Sequence, residues 1–359
     1  MCRKAMMFLL NISLLAALAV AQVVPVIPSG SKISLIRFGC SQIVIDRIDP
    51  LVNPGVSPSP HVHQIIGGNA FNTTIPSADV SALASCTTCS FPDDRSNYWT
   101  ANIYFRARNG SYKRVPQVPN RFLEGSRGGM TVYYVSPGPG KVTAFRPGFR
   151  MLFGDAMRRS KLAAPNLKTQ SCFRCFTGPD FKGDDASPCF DRKLDTETFP
   201  AGPCYGIRSN IHFPTCWDGK NLDTPNHQDH VAYPVKGPST FAATAECPAS
   251  HPVKIPQLML EIVWDTEGFN DPAIWPEDGS QPFVLSTGDT TGYGQHGDYV
   301  FGWKGDALQR LMDGSCFGDR CTGVDTQSFS TANECAVEKR VNEDTDGWLT
   351  KLPGDGSGA

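Results

Sequence analysis

The sequence predicts a mainly β protein: a single large β-sandwich or jelly-roll-like domain with long disulfide-stapled loops and few short helices. Three observations predict it. Short apolar, β-branched and aromatic runs recur between turn-rich stretches, whereas helical periodicity is scarce. The chain carries 34 glycines and 29 prolines with no repeating period, which means many turns rather than a collagen-like fibre. Twelve cysteines follow an export signal, which makes disulfides the natural staples for long loops.

The elements follow in order. Residues 1–21 have the three parts of a secretory signal: basic Arg3 and Lys4, an apolar run over 6–18, and the small-x-small site Ala19-Val20-Ala21. The apolar run falls short of the roughly 20 residues a membrane span needs, and no second such run follows, so no membrane anchor is expected. Residues 22–32 read as a flexible lead-in. Strands are predicted over 41–48, 61–66, 98–105, 130–135, 141–145, 257–264 and 282–285, with short helices over 154–161 and 306–312. Strands without regular intervening helices exclude a doubly wound sheet, so 33–337 reads as one β-rich domain. The Gly/Asp/Ser-rich end, 338–359, is expected to be disordered.

Composition narrows the function. With 33 Lys+Arg against 35 Asp+Glu the net charge is −2, which leaves no basic surface for nucleic acid, and 40% hydrophobic residues are too many for a disordered chain. Cys40, Cys86, Cys89, Cys172, Cys175, Cys189, Cys204, Cys216, Cys247, Cys316, Cys321 and Cys335 are expected to form six disulfides, in a pairing the spacing leaves open. The spacings Cys86-x-x-Cys89 and Cys172-x-x-Cys175 lack the β-α-β setting of a thiol redox site. Asn72-Thr73-Thr74 and Asn109-Gly110-Ser111 have the form of glycosylation acceptors.

Five of the seven histidines fall in three short motifs: His61-Val62-His63, Asn226-His227-Gln228-Asp229-His230 and His296-Gly297-Asp298. In an extended strand, residues two apart share a face, so His61 and His63 project together, as do His296 and Asp298. Such pairs suit two ligands of one metal or an imidazole oriented by a carboxylate. Against this stands the blander role of buried histidines satisfied by backbone carbonyls. The carboxylates Asp218, Asp223 and Glu261 complete the chemistry-bearing set. Alternation puts Glu261 on one strand face with Met259 and Val263, in surroundings suited to a general acid or, on an edge strand, to a salt bridge. Arg47, Trp217, Tyr293 and Trp303 are candidate substrate contacts, and the aromatics among them are equally ordinary core residues.

Several long motifs in order carry a resemblance. They are Asp46-Arg47-Ile48-Asp49-Pro50, His61-Val62-His63-Gln64-Ile65-Ile66-Gly67-Gly68, Ser96-Asn97-Tyr98-Trp99-Thr100, Phe153-Gly154-Asp155, Cys216-Trp217-Asp218-Gly219-Lys220-Asn221-Leu222-Asp223, His227-Gln228-Asp229-His230, Gly288-Asp289 to Tyr293-Gly294, and His296-Gly297-Asp298-Tyr299. Over roughly residues 35–337 the chain resembles a secreted fungal family catalogued as domain of unknown function nineteen ninety-six, some members of which are joined to WSC modules. The resemblance implies export and gives weight to these motifs, but implies no reaction. Asp46 and Ala101 stand where the family pattern has Glu and Pro.

The combined expectation is a secreted protein with a cleft built from His61, His63, His230, His296 and Asp298, with Asp218 or Glu261 as a further carboxyl. Arg47, Trp217, Asp223, Tyr293 and Trp303 are expected to line it. A hydrolase or lyase acting on extracellular or cell-wall polysaccharide is the leading reading, on a monomer. A non-catalytic wall-associated or effector-like binding protein is the alternative. A third is a protein holding a divalent metal on His61, His63, His230 and His296.

Overall fold

The computed structural model describes residues 34–355, apart from 122, 137, 139, 162–169, 186, 192, 236–245, 315 and 319. The expected signal at 1–21 and lead-in at 22–32 lie outside the described residues. Ten strands carry the architecture: β1 (Leu35–Cys40), β2 (Gln42–Asp46), β3 (His63–Gly67), β4 (Asn97–Ala101), β5 (Met130–Val135), β6 (Arg150–Gly154), β7 (Ser171–Cys175), β8 (Ile207–His212), β9 (Gln257–Trp264) and β10 (His296–Val300). One sheet runs β7-β8-β9-β5-β1, with short strands at its margins, a second runs β2-β3-β4-β10-β6, and shorter strands form two further three-stranded sheets. Their neighbouring strands are antiparallel. Helix is confined to short segments, such as Ala307–Asp313.

Alternation along the strands builds the sandwich. Phe38, Val132, Tyr134, Ile211, Leu258 and Leu260 of the first sheet meet Tyr98, Met151, Phe153 and Tyr299 of the second in one apolar cluster. Three phenols cross this core: the Tyr98 and Tyr134 hydroxyls lie 2.6 Å apart, and those of Tyr134 and Tyr299 lie 2.9 Å apart. The opposite face of the second sheet presents Val44, Ile65, Trp99 and Val300. It is not solvated. Ile48, Leu51, Phe71, Ile75 and Val80, from the long β2–β3 and β3–β4 connections, pack on it together with Val337 and Val341.

Six disulfides join Cys40–Cys89, Cys86–Cys335, Cys172–Cys189, Cys175–Cys204, Cys216–Cys247 and Cys316–Cys321. All twelve expected cysteines are paired. The strand predicted over 98–105 breaks at Asn102, Asn97–Ala101 joining the second sheet and Ile103–Arg106 a three-stranded one, and two further elements differ from expectation. Residues 141–145 join no ladder. Residues 154–161 form turns instead of a helix, because Gly154 sits at φ +83° and Asp155 caps the turn by accepting from the Met157 N–H.

The end of the chain corrects another expectation. Residues 338–355 are packed on the domain rather than disordered. Asp46 accepts hydrogen bonds from the Arg340 and Val341 amides, and Arg47 pairs with Glu343 at 2.8 Å. Tyr112 and Leu349 exchange backbone bonds, and Leu352 is buried against Tyr104 and Val284. A polar composition suggested disorder, but sparse apolar anchors and one buried carboxylate suffice to order the segment.

Candidate metal centre

The strand order of the second sheet brings distant histidines together. β4 lies between β3 and β10; His63 pairs with Ala101, and Gly297 pairs with Thr100. His63 and His296 therefore flank the small side chain of Ala101 from either side, on the covered face of the sheet. Their ring centroids are 5.9 Å apart. His61 precedes β3 and folds back over His63, with centroids 4.2 Å apart, placing its Nε2 3.0 Å from Nε2 of His296. Each of the three offers a nitrogen within 4.8 Å of the others. On the far side of β10, His296 pairs with Gly154, where a Cβ would strike the Gln295 carbonyl at 2.5 Å. Glycine there lets β6 close against the histidine strand.

The hydrogen bonds set the tautomers. His63 Nδ1 lies 3.1 Å from the Ile48 carbonyl, and His296 Nδ1 lies 2.9 Å from the Gly294 carbonyl. A carbonyl only accepts, so each Nδ1 carries the proton and each Nε2 keeps its lone pair. His63 Nε2 is buried with no hydrogen-bond partner. Neutral His296 accepts at Nε2, so His61 donates its Nε2–H across the 3.0 Å contact. Imidazoles oriented through Nδ1–H and converging through Nε2 are the usual arrangement of histidine metal ligands.

Electrostatics favour neutral rings. Burial pushes His61 well below the usual histidine range, reinforced by His63, His296 and Arg47. Burial lowers His63 to about 4 and lowers His296 as well. Two residues from His296 on the same face, Asp298 is fully buried, and neither carboxylate oxygen has a hydrogen-bond partner. Burial, then the charge of Asp49, pushes its carboxyl well above the ordinary range. Trp99, which pairs with Asp298 across the ladder, also leaves its buried Nε1 unpartnered. Orphaned polar atoms are uncommon in folded proteins, and three residues on one covered face have them here.

The other expected site residues lie elsewhere. Both ring nitrogens of His230 are engaged, by the Arg150 carbonyl at 2.7 Å and the Thr224 hydroxyl at 3.1 Å, and the ring packs on Phe149. It is outside the three-histidine cluster and plays the structural role. Asp218 closes a turn: burial raises its carboxyl, but the Lys220 and Asn221 amides and the Asn221 side chain outweigh burial and hold it below the ordinary range. Asp223 pairs with His227 at 2.6 Å.

Glu261 sits on the opposite face of the first sheet, accepting from Tyr133, Asn210 and Asn120, with the Arg208 guanidinium 3.9 Å away. Its strand is central, and its partners make it an anchor of a buried polar network rather than a free acid. Trp217 and Trp303 are core residues, 3% and 0% exposed. Tyr293 is half-buried under Arg158. Arg47 alone of the expected substrate contacts stands beside the histidines, with its charge felt at His61. Asp49, Ala101, Gly294 and Asp289 belong to the site's construction but had no signal of their own beyond their place in the motifs.

The cavity beside His296 and Gln295 is about 10 Å³, room for one water and too little for a sugar. A surface depression of about 640 Å³, lined by Arg106, Tyr112, Glu277 and Gln281 among others, contains none of the histidines.

The buried histidines also make the fold acid-sensitive. His212, fully buried with neither ring nitrogen partnered, is pushed to about 3 by burial and then by Arg208. An unfolded histidine titrates near 6.5, so between that pH and about 3 the unfolded chain binds a proton the folded chain refuses. Stability then falls as pH falls, by about 1.4 kcal/mol per pH unit for each such group. Asp94, raised to about 6 by burial, works in the opposite sense, adding stability at low pH that fades as pH rises above 3.8. Denaturant midpoints of chelator-treated protein at pH 7 and pH 4 should show a shallower decline for His212→Asn than for the wild type; equal slopes would refute the assignment to His212.

No curated protein and no solved structure matches this chain. A family model, by contrast, matches residues 49–303, a span that includes His61, His63, His296 and Asp298. That match covers most of the chain, which therefore belongs to the family described as Domain of unknown function (DUF1996).

Proposed function

We propose that this chain is a secreted, disulfide-stapled metal-binding protein that holds a divalent transition metal on His61, His63 and His296. The observation that carries the reading is the convergence of three neutral imidazoles, each offering a nitrogen within 4.8 Å of the others, two of them with Nδ1–H tied to backbone carbonyls so that Nε2 keeps its lone pair. An all-imidazole set suits copper(II), zinc or nickel, with copper(II) bound tightest. Three protein ligands leave a fourth position for water, the arrangement of sites where metal-bound water is acidified. Asp298 lies on the same face and lacks a hydrogen-bond partner, so a hydrated cation nearby would supply one.

The polysaccharide reading finds less support. It requires an open cleft with stacking aromatics, whereas His63 and His296 are 0% and 3% exposed and two of the candidate aromatics belong to the core. Calorimetric titration of copper(II) and zinc into chelator-treated protein tests the metal reading. Saturation at one equivalent, lost in His61→Ala, supports it; weak uptake at many sites, equal in both proteins, would end it.

Export is supported by the six disulfides, and no described helix is long and apolar enough to cross a membrane. Asn72 and Asn109 are both exposed, and Asn109 Oδ1 accepts from the Ser111 hydroxyl at 2.6 Å. Protein collected from a eukaryotic secretion host should lose mass on treatment with an N-glycosidase, and the Asn72→Gln/Asn109→Gln variant should not. An unchanged wild-type mass would count against passage through a glycosylating compartment.

A further inference from the structure

The loop before β10 is organised around one buried carboxylate. Asp289 is 0% exposed. Its Oδ1 accepts from the Thr291 amide at 2.8 Å and the Thr291 hydroxyl at 2.6 Å, and its Oδ2 accepts from the Gly292 amide at 3.0 Å and the Gly294 amide at 2.7 Å. Arg159 is the nearest cation, at 3.8 Å. Gly294 is held on both sides: its N–H points to Asp289, and its carbonyl receives the Nδ1–H of His296 at 2.9 Å. There is no slack, because a Cβ at Gly294 would lie 3.0 Å from both the Ala156 carbonyl and Asp289 Oδ2.

We propose that Asp289 is a positioning residue for the metal centre, acting through Gly294 to fix the tautomer and ring orientation of His296. This inference rests on the three-histidine reading above. A neutral imidazole has two tautomers, and only the one protonated at Nδ1 offers Nε2 to a metal. Asp289 stands outside the ligand set and acts by anchoring the carbonyl that selects that tautomer. Outer-sphere partners of this kind change metal affinity 10- to 100-fold when removed.

The test uses Asp289→Asn, which keeps size but replaces one acceptor oxygen with a donor, and Thr290→Val, which removes the hydroxyl of an exposed neighbour in the same loop. Imidazole ¹⁵N shifts of the full-length, metal-free protein report the His296 tautomer directly. Copper(II) titration reports affinity. Wild type and Thr290→Val should both hold His296 protonated at Nδ1 with equal affinity. Asp289→Asn should show a mixture of tautomers and bind copper(II) about 10- to 100-fold more weakly.

If Asp289→Asn changes neither the tautomer nor the affinity, or if Thr290→Val weakens binding as much, the positioning role is wrong and the loop contributes only stability. If wild type shows the Nδ1 tautomer, lost in Asp289→Asn, but binds no copper or zinc, the relay stands and the metal reading fails. The two failures are thus distinct.

Discussion

His63→Ala and His296→Ala should each reduce metal uptake from one equivalent to none, with affinity falling more than the 10- to 100-fold expected for an outer-sphere change. The two rings project from different strands onto one covered face, and neither has a neighbouring side chain able to replace it among the described ligands. His230→Ala serves as the comparison. That ring is committed to the Arg150 carbonyl and the Thr224 hydroxyl, so its loss should lower stability and leave metal stoichiometry intact. Metal analysis after gel filtration separates these outcomes. Retention of one equivalent in both His63→Ala and His296→Ala would place the bound ion elsewhere.

The Cys86→Ser/Cys335→Ser variant should be the least stable of the single-bridge variants. This bridge closes 249 residues of sequence, far more than the next longest at 49. In the chain-entropy model a loop of that size is worth about 5 kcal/mol, at the upper end of measured effects and reduced where other bridges already constrain the loop. The bridge also joins the segment around Cys335 to the β3–β4 connection that covers the second sheet. Denaturant unfolding should show a large drop in midpoint, and limited proteolysis should cut the 338–355 segment first. A change below about 1 kcal/mol would mean that Asp46, Arg47 and Leu352 hold that segment without the bridge.

Much of the fold is legible in the sequence where the determinants are local. The alternation in Gln257–Trp264 puts Leu258, Leu260, Ile262 and Trp264 inward and Glu261 outward, as the pattern predicts. The spacing His61-Val62-His63 predicts two imidazoles side by side, and they are, although His61 lies before the strand and reaches His63 by folding back. Convergence with His296 depends on sheet order across more than 230 residues, which no local pattern encodes. His230 has the same company of polar neighbours in sequence and a different fate, because ligand chemistry depends on which nitrogen is free. The role of Glu261 turned on Tyr133, Asn210 and Arg208, all brought from other strands. The ordered 338–355 segment was hidden for a related reason: its anchors are a few side chains scattered through polar sequence.

His61, His63 and His296 together are expected to hold one divalent transition metal, His63 and His296 through Nε2. The most direct measurement is X-ray absorption spectroscopy of the copper(II)- or zinc-loaded full-length chain at one equivalent. Three imidazole nitrogens at about 2.0–2.1 Å with one oxygen ligand completing the sphere are expected, as is the loss of imidazole scattering in His296→Ala. A sphere of oxygen ligands alone, or an imidazole count unchanged in that variant, would contradict it.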